Sequence, residues 1–196
     1  MMTASIEIAR VMAACMHVRL GLESMHALAD ILVCKKFKKG ERVLDEGEVC
    51  KSILFIEKGM TRQFYFKYNK DLTEHIGYEH GMVMCLESYF SQNPTRLMIE
   101  TLENTIAWQM DKDKMEDLAN KNFEISTFYR RIFEMSLIDS QVKADTLRFE
   151  PANERYVRLL SLHPEILKRA PWIYIASFLQ MTPETLSRVR SAHLNS

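Results

Sequence analysis

Between Phe37 and Met110 the sequence moves in short β-prone runs broken by turn residues, and this rhythm limits the fold more than any other feature of the chain. The stretch FKKGERVLDEGEVCKSILFIEKGMTRQFYF sets Gly40, Gly47 and Gly59 between runs such as Ile53 to Ile56 and Gln63 to Phe66. EHIGYEHG and IETLENTIAWQM follow, the last alternating so that Ile106, Trp108 and Met110 share one side. Short strands roughly 8 to 12 residues apart, closed by Gly, Asn and Asp, predict an antiparallel barrel or jelly roll.

Both flanks change period. Residues 4–34 and 111–148 carry helical spacing, and DKDKMEDLANKNFEISTFYRRIFEMSLIDSQVKADTLRF runs without Gly or Pro, which predicts a single long helix after the β region. Phe128, Ile132, Met135 and Val142 form one apolar stripe on it, interrupted by Asp139. Such a stripe either packs back on the β core or pairs with its copy in a second subunit as an interrupted coiled coil, and periodicity leaves both open. Glu150 and Pro151 break the helix. Residues 151–196 are again helical, punctuated by Pro164, Pro171 and Pro183, and read as a small terminal domain. The expected division is therefore 1–115 for the β-roll with its flanking helices, 116–150 for the long helix and 151–196 for the helical domain.

Composition excludes several classes. With 47% hydrophobic and 27% charged residues the 196-residue chain is ordinary for a soluble globular protein, and no apolar run approaches the roughly 20 residues of a membrane span. Glu7 and Arg10 interrupt the first segment, which reads as a helix and not as a signal peptide. Cys15, Cys34, Cys50 and Cys85 are irregularly spaced, with no CxxC pair and no zinc-finger tetrad, so a reduced, cytoplasmic chain is expected. The thirteen methionines are scattered and read as core filler.

The terminal segment WIYIASFLQMTPETLSRVRS carries the strongest local chemistry. Ile175, Ala176 and Leu179 sit at core spacing in one helix, and Thr182, Pro183 and Glu184 form a start signal for a second: an N-cap hydroxyl, a proline at the first helical position and an acid in the first turn. Two helices joined by so short a turn suit a helix-turn-helix. The second helix carries Thr182, Glu184, Thr185, Ser187, Arg188, Arg190 and Ser191 as polar residues, with Leu186 and Val189 on its buried side. Hydroxyls suit phosphates and base edges, a glutamate accepts from a cytosine amino group, and an arginine grips guanine bidentately. The same pattern also describes a merely solvated face. Residues 151–196 hold six Lys/Arg against three Asp/Glu, an excess of +3 in a chain with no net formal charge.

With these residues in view, KKGERVLDEGEVCKSILFIEKGMTRQFY, the long helix and YIASFLQMTPETLSRVRS together resemble the catabolite activator (Crp/Fnr) family of bacterial transcription regulators, in particular its short Bacteroidetes-type members. The resemblance implies an α+β chain: an N-terminal double-stranded β-helix of the jelly-roll-like cyclic-nucleotide-binding kind, a long dimerisation helix carrying Phe128, Ile132, Met135 and Val142, and a C-terminal helix-turn-helix. It implies a homodimer reading a palindromic site on double-stranded DNA, with RNA polymerase and a small-molecule effector as further partners and no membrane. Glu184 and Arg188 fall on the family's base-contacting acid and arginine. Pro183 stands where well-known members have another base-contacting arginine, and Gln180 stands at the turn position usually held by Gly, where a left-handed backbone is needed.

The family's cyclic-nucleotide pocket uses a Gly-Glu pair before a short helix and an Arg-Ser pair after it. In GMVMCLESYFSQNPTRLMIETLENT the Gly-Glu pair is missing around Met84 and Cys85, Glu87 and Ser88 follow, Thr95 takes the arginine position and Arg96 comes one residue late. Glu87, Ser88, Thr95 and Arg96 are the candidate effector residues, but a one-residue slip turns a strand side chain to the other face, so cyclic AMP is not expected, and no cofactor is. No N-terminal cysteine cluster suits an iron–sulfur centre, His75 and His80 lack further ligands at matching spacing, and no nucleophile elbow or phosphate loop is present. The chain is therefore not expected to be an enzyme or to hold a metal; the alternative to a DNA-binding regulator is a signalling module whose helical tail contacts protein.

Overall fold

A computed structural model describes residues 2–194. The chain opens with α1 (Met2–Cys15) and α2 (Leu22–Ile31), then forms β1 (Leu32–Phe37), β2 (Arg42–Leu44), β3 (Ser52–Lys58), β4 (Met60–Lys67), β5 (Lys70–Tyr78) and β6 (Met82–Val83). A short α3 (Leu86–Ser91) precedes β7 (Met98–Thr101) and β8 (Thr105–Asp111), and the rest is helical: α4 (Lys112–Lys121), α5 (Phe123–Phe149), α6 (Ala152–Leu162), α7 (Pro164–Arg169), α8 (Trp172–Phe178) and α9 (Pro183–Leu194). The strands make two four-stranded sheets, in the orders β1-β8-β3-β6 and β2-β7-β4-β5, with antiparallel pairing throughout. This is the jelly-roll arrangement that the short-strand rhythm predicts.

Turn chemistry fits the sequence pattern closely. Gly40, Gly47 and Gly59 all have φ between +79° and +113°. At Gly59, in the tight β3–β4 connection, a Cβ would stand 2.4 Å from Thr105 Oγ1, so space as well as backbone angle demands glycine. The β4–β5 hairpin turns on Tyr68 and Asn69, both at positive φ, as a two-residue connection requires when its twist matches that of the strands. The run Ile53, Leu54, Phe55 and Ile56 does not alternate because β3 is buried on both faces, in one cluster with Met12 of α1, Leu28 of α2 and Phe128 of α5.

Three expectations need correction. Residues 32–34 are strand and not helix: β1 is an edge strand whose residues Val33 to Lys36 are exposed, so it lacks the apolar alternation that marks a half-buried strand. The single helix expected over 111–148 is two helices. Asn122 separates them, its Oδ1 accepting from the Ile125 N–H at 3.1 Å while its Nδ2 donates to Ser24 Oγ at 2.9 Å, so a side-chain cap and a tertiary contact from α2 end α4 and start α5. The apolar stripe of α5, read as continuous, changes surroundings along its length, its first part packing back on the chain's own core. Phe128 and Ile132 are buried at 0% and 1% inside the chain's own core, Met135 is half-buried, and Val142 is exposed with Leu137 and Ile138.

The C-terminal helices do not stand apart from the roll. Met60, Ile76 and Leu102 join Tyr156, Leu159, Ile166, Ile175, Ala176, Leu179 and Leu186 in one buried cluster. β5 is the edge of its sheet, and α8 covers that edge: Ser177 Oγ accepts from the Thr73 N–H at 2.9 Å and donates to the Asp71 carbonyl at 3.2 Å. A hydroxyl thereby satisfies strand groups that no neighbouring strand can reach.

Candidate nucleic-acid interface and sensor region

Helices α8 and α9 meet across Leu179 to Thr182. The Gln180 N–H bonds the Ser177 carbonyl and the Met181 N–H the Ala176 carbonyl, both at 3.0 Å, with Gln180 at φ +51°. This is the paired hydrogen-bond closure that follows a left-handed residue after a helix; a glutamine occupies the left-handed position expected from the sequence. Thr182 then caps α9, its Oγ1 accepting from the Thr185 N–H at 3.2 Å and its carbonyl from the Leu186 N–H at 3.0 Å. Leu186 is fully buried and Val189 half-buried, so the apolar side of α9 faces inward as its spacing indicates.

The opposite side of α9 is open. Thr182, Glu184, Ser187, Arg188 and Arg190 are exposed and Thr185 is half-buried. Arg188 donates to Thr185 Oγ1 at 3.3 Å, while the Arg190 guanidinium lies 5.4 Å from the Trp172 ring at the start of α8. Arg188 and Arg190 thus serve different surroundings. Glu184 is held below the usual carboxylate range by its own N–H at the helix start and by the Thr182 hydroxyl, and is ionised at neutral pH. The +3 excess of this segment is largely engaged elsewhere. Arg155 donates to the Leu179 carbonyl at 2.7 Å, Arg158 pairs with Glu150, and Arg169 binds Glu79 at 2.6 and 2.9 Å and also Glu103.

In the roll, α3 is set by hydrogen bonds on both sides. Ser88, 2% exposed, accepts from the Cys50 N–H at 3.0 Å and donates to the Asn93 carbonyl at 2.6 Å. Glu87, one residue earlier, is exposed. Thr95 is buried and its Oγ1 accepts from the Leu97 N–H at 2.9 Å. Arg96 lies on a bend before β7 and not within a strand, so strand alternation does not set its direction; it is exposed, with its guanidinium 4.9 Å from the Tyr65 ring. The four residues are near in sequence, yet Ser88 and Thr95 use their hydroxyls to hold backbone. Within the roll, Gln63 donates to the Met84 carbonyl at 2.7 Å, and Thr61 Oγ1 is buried without a hydrogen-bond partner. Neither was singled out from the sequence, since a Thr or Gln in a strand carries no signal of the face it takes. His80 stacks on Phe55 with ring centroids 6.1 Å apart.

One buried arginine joins the two parts. Arg62 of β4, 3% exposed, binds Asp71 through two bonds of 2.8 Å, Glu100 at 2.5 Å and Thr73 at 3.3 Å. Its guanidinium lies between Phe64, 3.8 Å away, and Tyr174 of α8, 3.5 Å away. Tyr78 and His163 share a 2.9 Å hydrogen bond nearby.

A β-roll with a short helix between its sixth and seventh strands, followed by a long helix and further helices, has the fold of a cyclic nucleotide-binding domain joined to a C-terminal helical unit. Residues 34–122 match the family described as cyclic nucleotide-binding domain. The fold is similar to FixK2 from Bradyrhizobium japonicum (17% identity, 83% of this chain and 84% of that one, TM-score 0.70). It is also similar to a protein assigned to the crp/fnr family of transcriptional regulators from Eubacterium rectale (14%, 90% and 85%, TM-score 0.67) and to the catabolite activator protein of Thermus thermophilus (15%, 92% and 87%, TM-score 0.57). No curated protein gives a significant sequence match. Among the described residues no helix is long and apolar enough to cross a membrane.

Proposed function

We propose that this chain is a dimeric, DNA-binding transcription regulator of the Crp/Fnr type and that α8 and α9 are its helix-turn-helix. The observation that carries the reading is α9 itself: a capped helix with its apolar side buried, held to α8 by a closed turn, and with Glu184, Ser187 and Arg188 exposed on its outer side. Arg188 reads a base edge, the carboxylate of Glu184 accepts from an exocyclic amine, and Thr182 and Thr185 lie near the helix start, where backbone N–H groups meet phosphate. Pro183 offers no side-chain donor at its position, so the operator differs there from sites read by an arginine.

The dimer forms along the second half of α5. Leu137, Ile138 and Val142 are exposed at 68%, 57% and 44%, and pairing with a second copy gives these side chains the cover the chain itself does not. Phe128 and Ile132 have no part in that seam because they are already buried. The sensor does not take cyclic AMP: the hydroxyls of Ser88 and Thr95 are engaged with backbone, and Arg96 rests on Tyr65. No cofactor belongs to this reading, and the effector is another small molecule.

DNA sequences selected from a random library test it. Replacing Arg188 by Ala should cost about 1 to 3 kcal/mol and relax specificity at one base pair of each half-site. Affinity should also fall steeply as salt rises, through counterion release. Equal binding and unchanged sequence preference of the variant would remove Arg188 from the interface, and the absence of any specific complex at low salt would favour a tail that contacts protein.

A further inference from the structure

Cys50 and Cys85 lie 35 positions apart and take no part in reading DNA. Cys50 lies in the loop two residues before β3, and Cys85 is the residue from which α3 starts. Folding buries them to 3% and 1% exposure and sets the Cys85 N–H 3.4 Å from Cys50 Sγ. The backbone around them is pinned on both sides: the Cys50 N–H donates to Ser88 Oγ at 3.0 Å, and Gln92 Nε2 donates to the Cys50 carbonyl at 3.3 Å. Cys50 also reaches the Ser52 carbonyl at 3.5 Å, and Cys85 the Leu97 carbonyl at 3.7 Å with the Thr95 side chain as a further neighbour.

We propose that Cys50 and Cys85 are a redox pair, closed to a disulfide by hydrogen peroxide and reopened by a dithiol. The two sulfurs differ in character. The neighbouring Cys85 side chain and its N–H, which donates to Cys50 Sγ, lower the pKa of Cys50 against the effect of burial, whereas the Cys50 sulfur and burial push Cys85 up. Cys50 is therefore the attacking thiolate and Cys85 the resolving thiol. In the first step the Cys50 sulfur attacks one peroxide oxygen, the O–O bond breaks, and the departing hydroxide takes a proton to become water, leaving a sulfenic acid. In the second the Cys85 sulfur, losing its proton, attacks Cys50 Sγ; the S–S bond forms, the S–O bond breaks, and a second water leaves. Two thiols and one peroxide give one disulfide and two waters.

Access comes from local opening of the flanking loop, whose residues Asp45 to Glu48 are exposed. A sulfur–sulfur bond would fasten the start of α3 to that loop. α3 in turn touches α5, with Tyr89 and Tyr129 hydroxyls 2.8 Å apart and the Phe90 and Phe133 rings 4.7 Å apart, so the position of α3 is where oxidation is transmitted.

The test uses the full chain carrying Cys15→Ser and Cys34→Ser, whose substitutions lie at half-buried and exposed positions. The chain is treated with hydrogen peroxide under native conditions, quenched, alkylated in denaturant and mapped by mass spectrometry. The expected product is a peptide pair joined through Cys50 and Cys85, with loss of two hydrogens reversed by dithiothreitol. In a Cys85→Ser version dimedone should trap a sulfenic acid at Cys50. In a dithiothreitol redox buffer the folded chain should keep the disulfide at a ratio about tenfold more reducing than the urea-unfolded chain does, because the fold has brought the two cysteines together beforehand. The proposal is overturned if both sulfurs stay reduced until the chain unfolds, or if the folded chain holds the bond no better than the unfolded one. None of these readouts involves DNA, so they are independent of the proposed regulator function.

Discussion

Replacing Arg62 by Met keeps most of the side-chain volume and removes only the charge and its hydrogen bonds. The wild-type guanidinium is 3% exposed and is the main partner of two carboxylates, one of which, Glu100, is only 15% exposed. Breaking a buried pair by deleting one partner costs about 3 to 5 kcal/mol. Two features lower that figure here: Asp71 is 34% exposed and regains water, and Glu100 keeps Arg42 at 3.5 Å. The loss of the contact with Tyr174 adds about 1 kcal/mol, as for a partly desolvated cation over a ring. The expected total is about 3 kcal/mol of unfolding free energy, a value near the lower end of the buried-pair range. Urea unfolding of wild type, Arg62→Met, Tyr174→Leu and the double variant gives a double-mutant cycle, in which the coupling between the two side chains should be about 1 kcal/mol. A cost below about 1 kcal/mol for Arg62→Met would refute the claim that this cluster is an uncompensated buried charge without its arginine. A coupling near zero would refute the claim that Arg62 helps hold α8 on the roll.

Gln180 is exposed at φ +51°, so Gln180→Gly should stabilise the chain by about 0.5 to 1 kcal/mol in urea unfolding, the left-handed strain being removed against some gain in unfolded-chain entropy; destabilisation would show that the glutamine side chain makes a needed contact. Arg169 holds the Glu79 carboxyl down to about 2, below the 4.5 of an unperturbed glutamate, so the stabilisation is whole above about pH 4.5 and is lost as pH falls toward about 2. The difference in urea midpoint between wild type and Glu79→Gln should therefore shrink over that interval, and a constant difference would contradict the assignment. The proposed dimer predicts that Ile138→Glu on α5 gives a monomer in sedimentation at micromolar concentration where wild type is dimeric, with the circular dichroism unchanged; a dimer in both would place the seam elsewhere, and a monomeric wild type would refute the dimer.

Local signals in this chain were legible because their causes are local. Gly59 and Gln180 mark backbone angles, Thr182 and Pro183 mark a helix start, and the β rhythm marks strands, each by a few neighbouring residues. Asn122 was also readable, being an N-cap residue with an acid in the following turn, but a stretch free of Gly and Pro on both sides of it hid the break. β1 is hidden for a different reason: an edge strand exposed from Val33 to Lys36 has no alternating burial to write into its sequence.

By itself the sequence determined a roll of short strands, helices before and after it, and a terminal pair of helices closed by a tight turn. These follow from side-chain period, turn chemistry and caps, which act over one or two turns of chain. Tertiary structure decided which surface each stripe and charge would meet. It buried Phe128 and Ile132 while leaving Ile138 and Val142 exposed, engaged Arg155, Arg158 and Arg169 in internal contacts, and brought Cys50 beside Cys85. The physical reason is that burial and pairing depend on what lies opposite in space, and a residue 35 or 100 positions away leaves no mark on the local pattern.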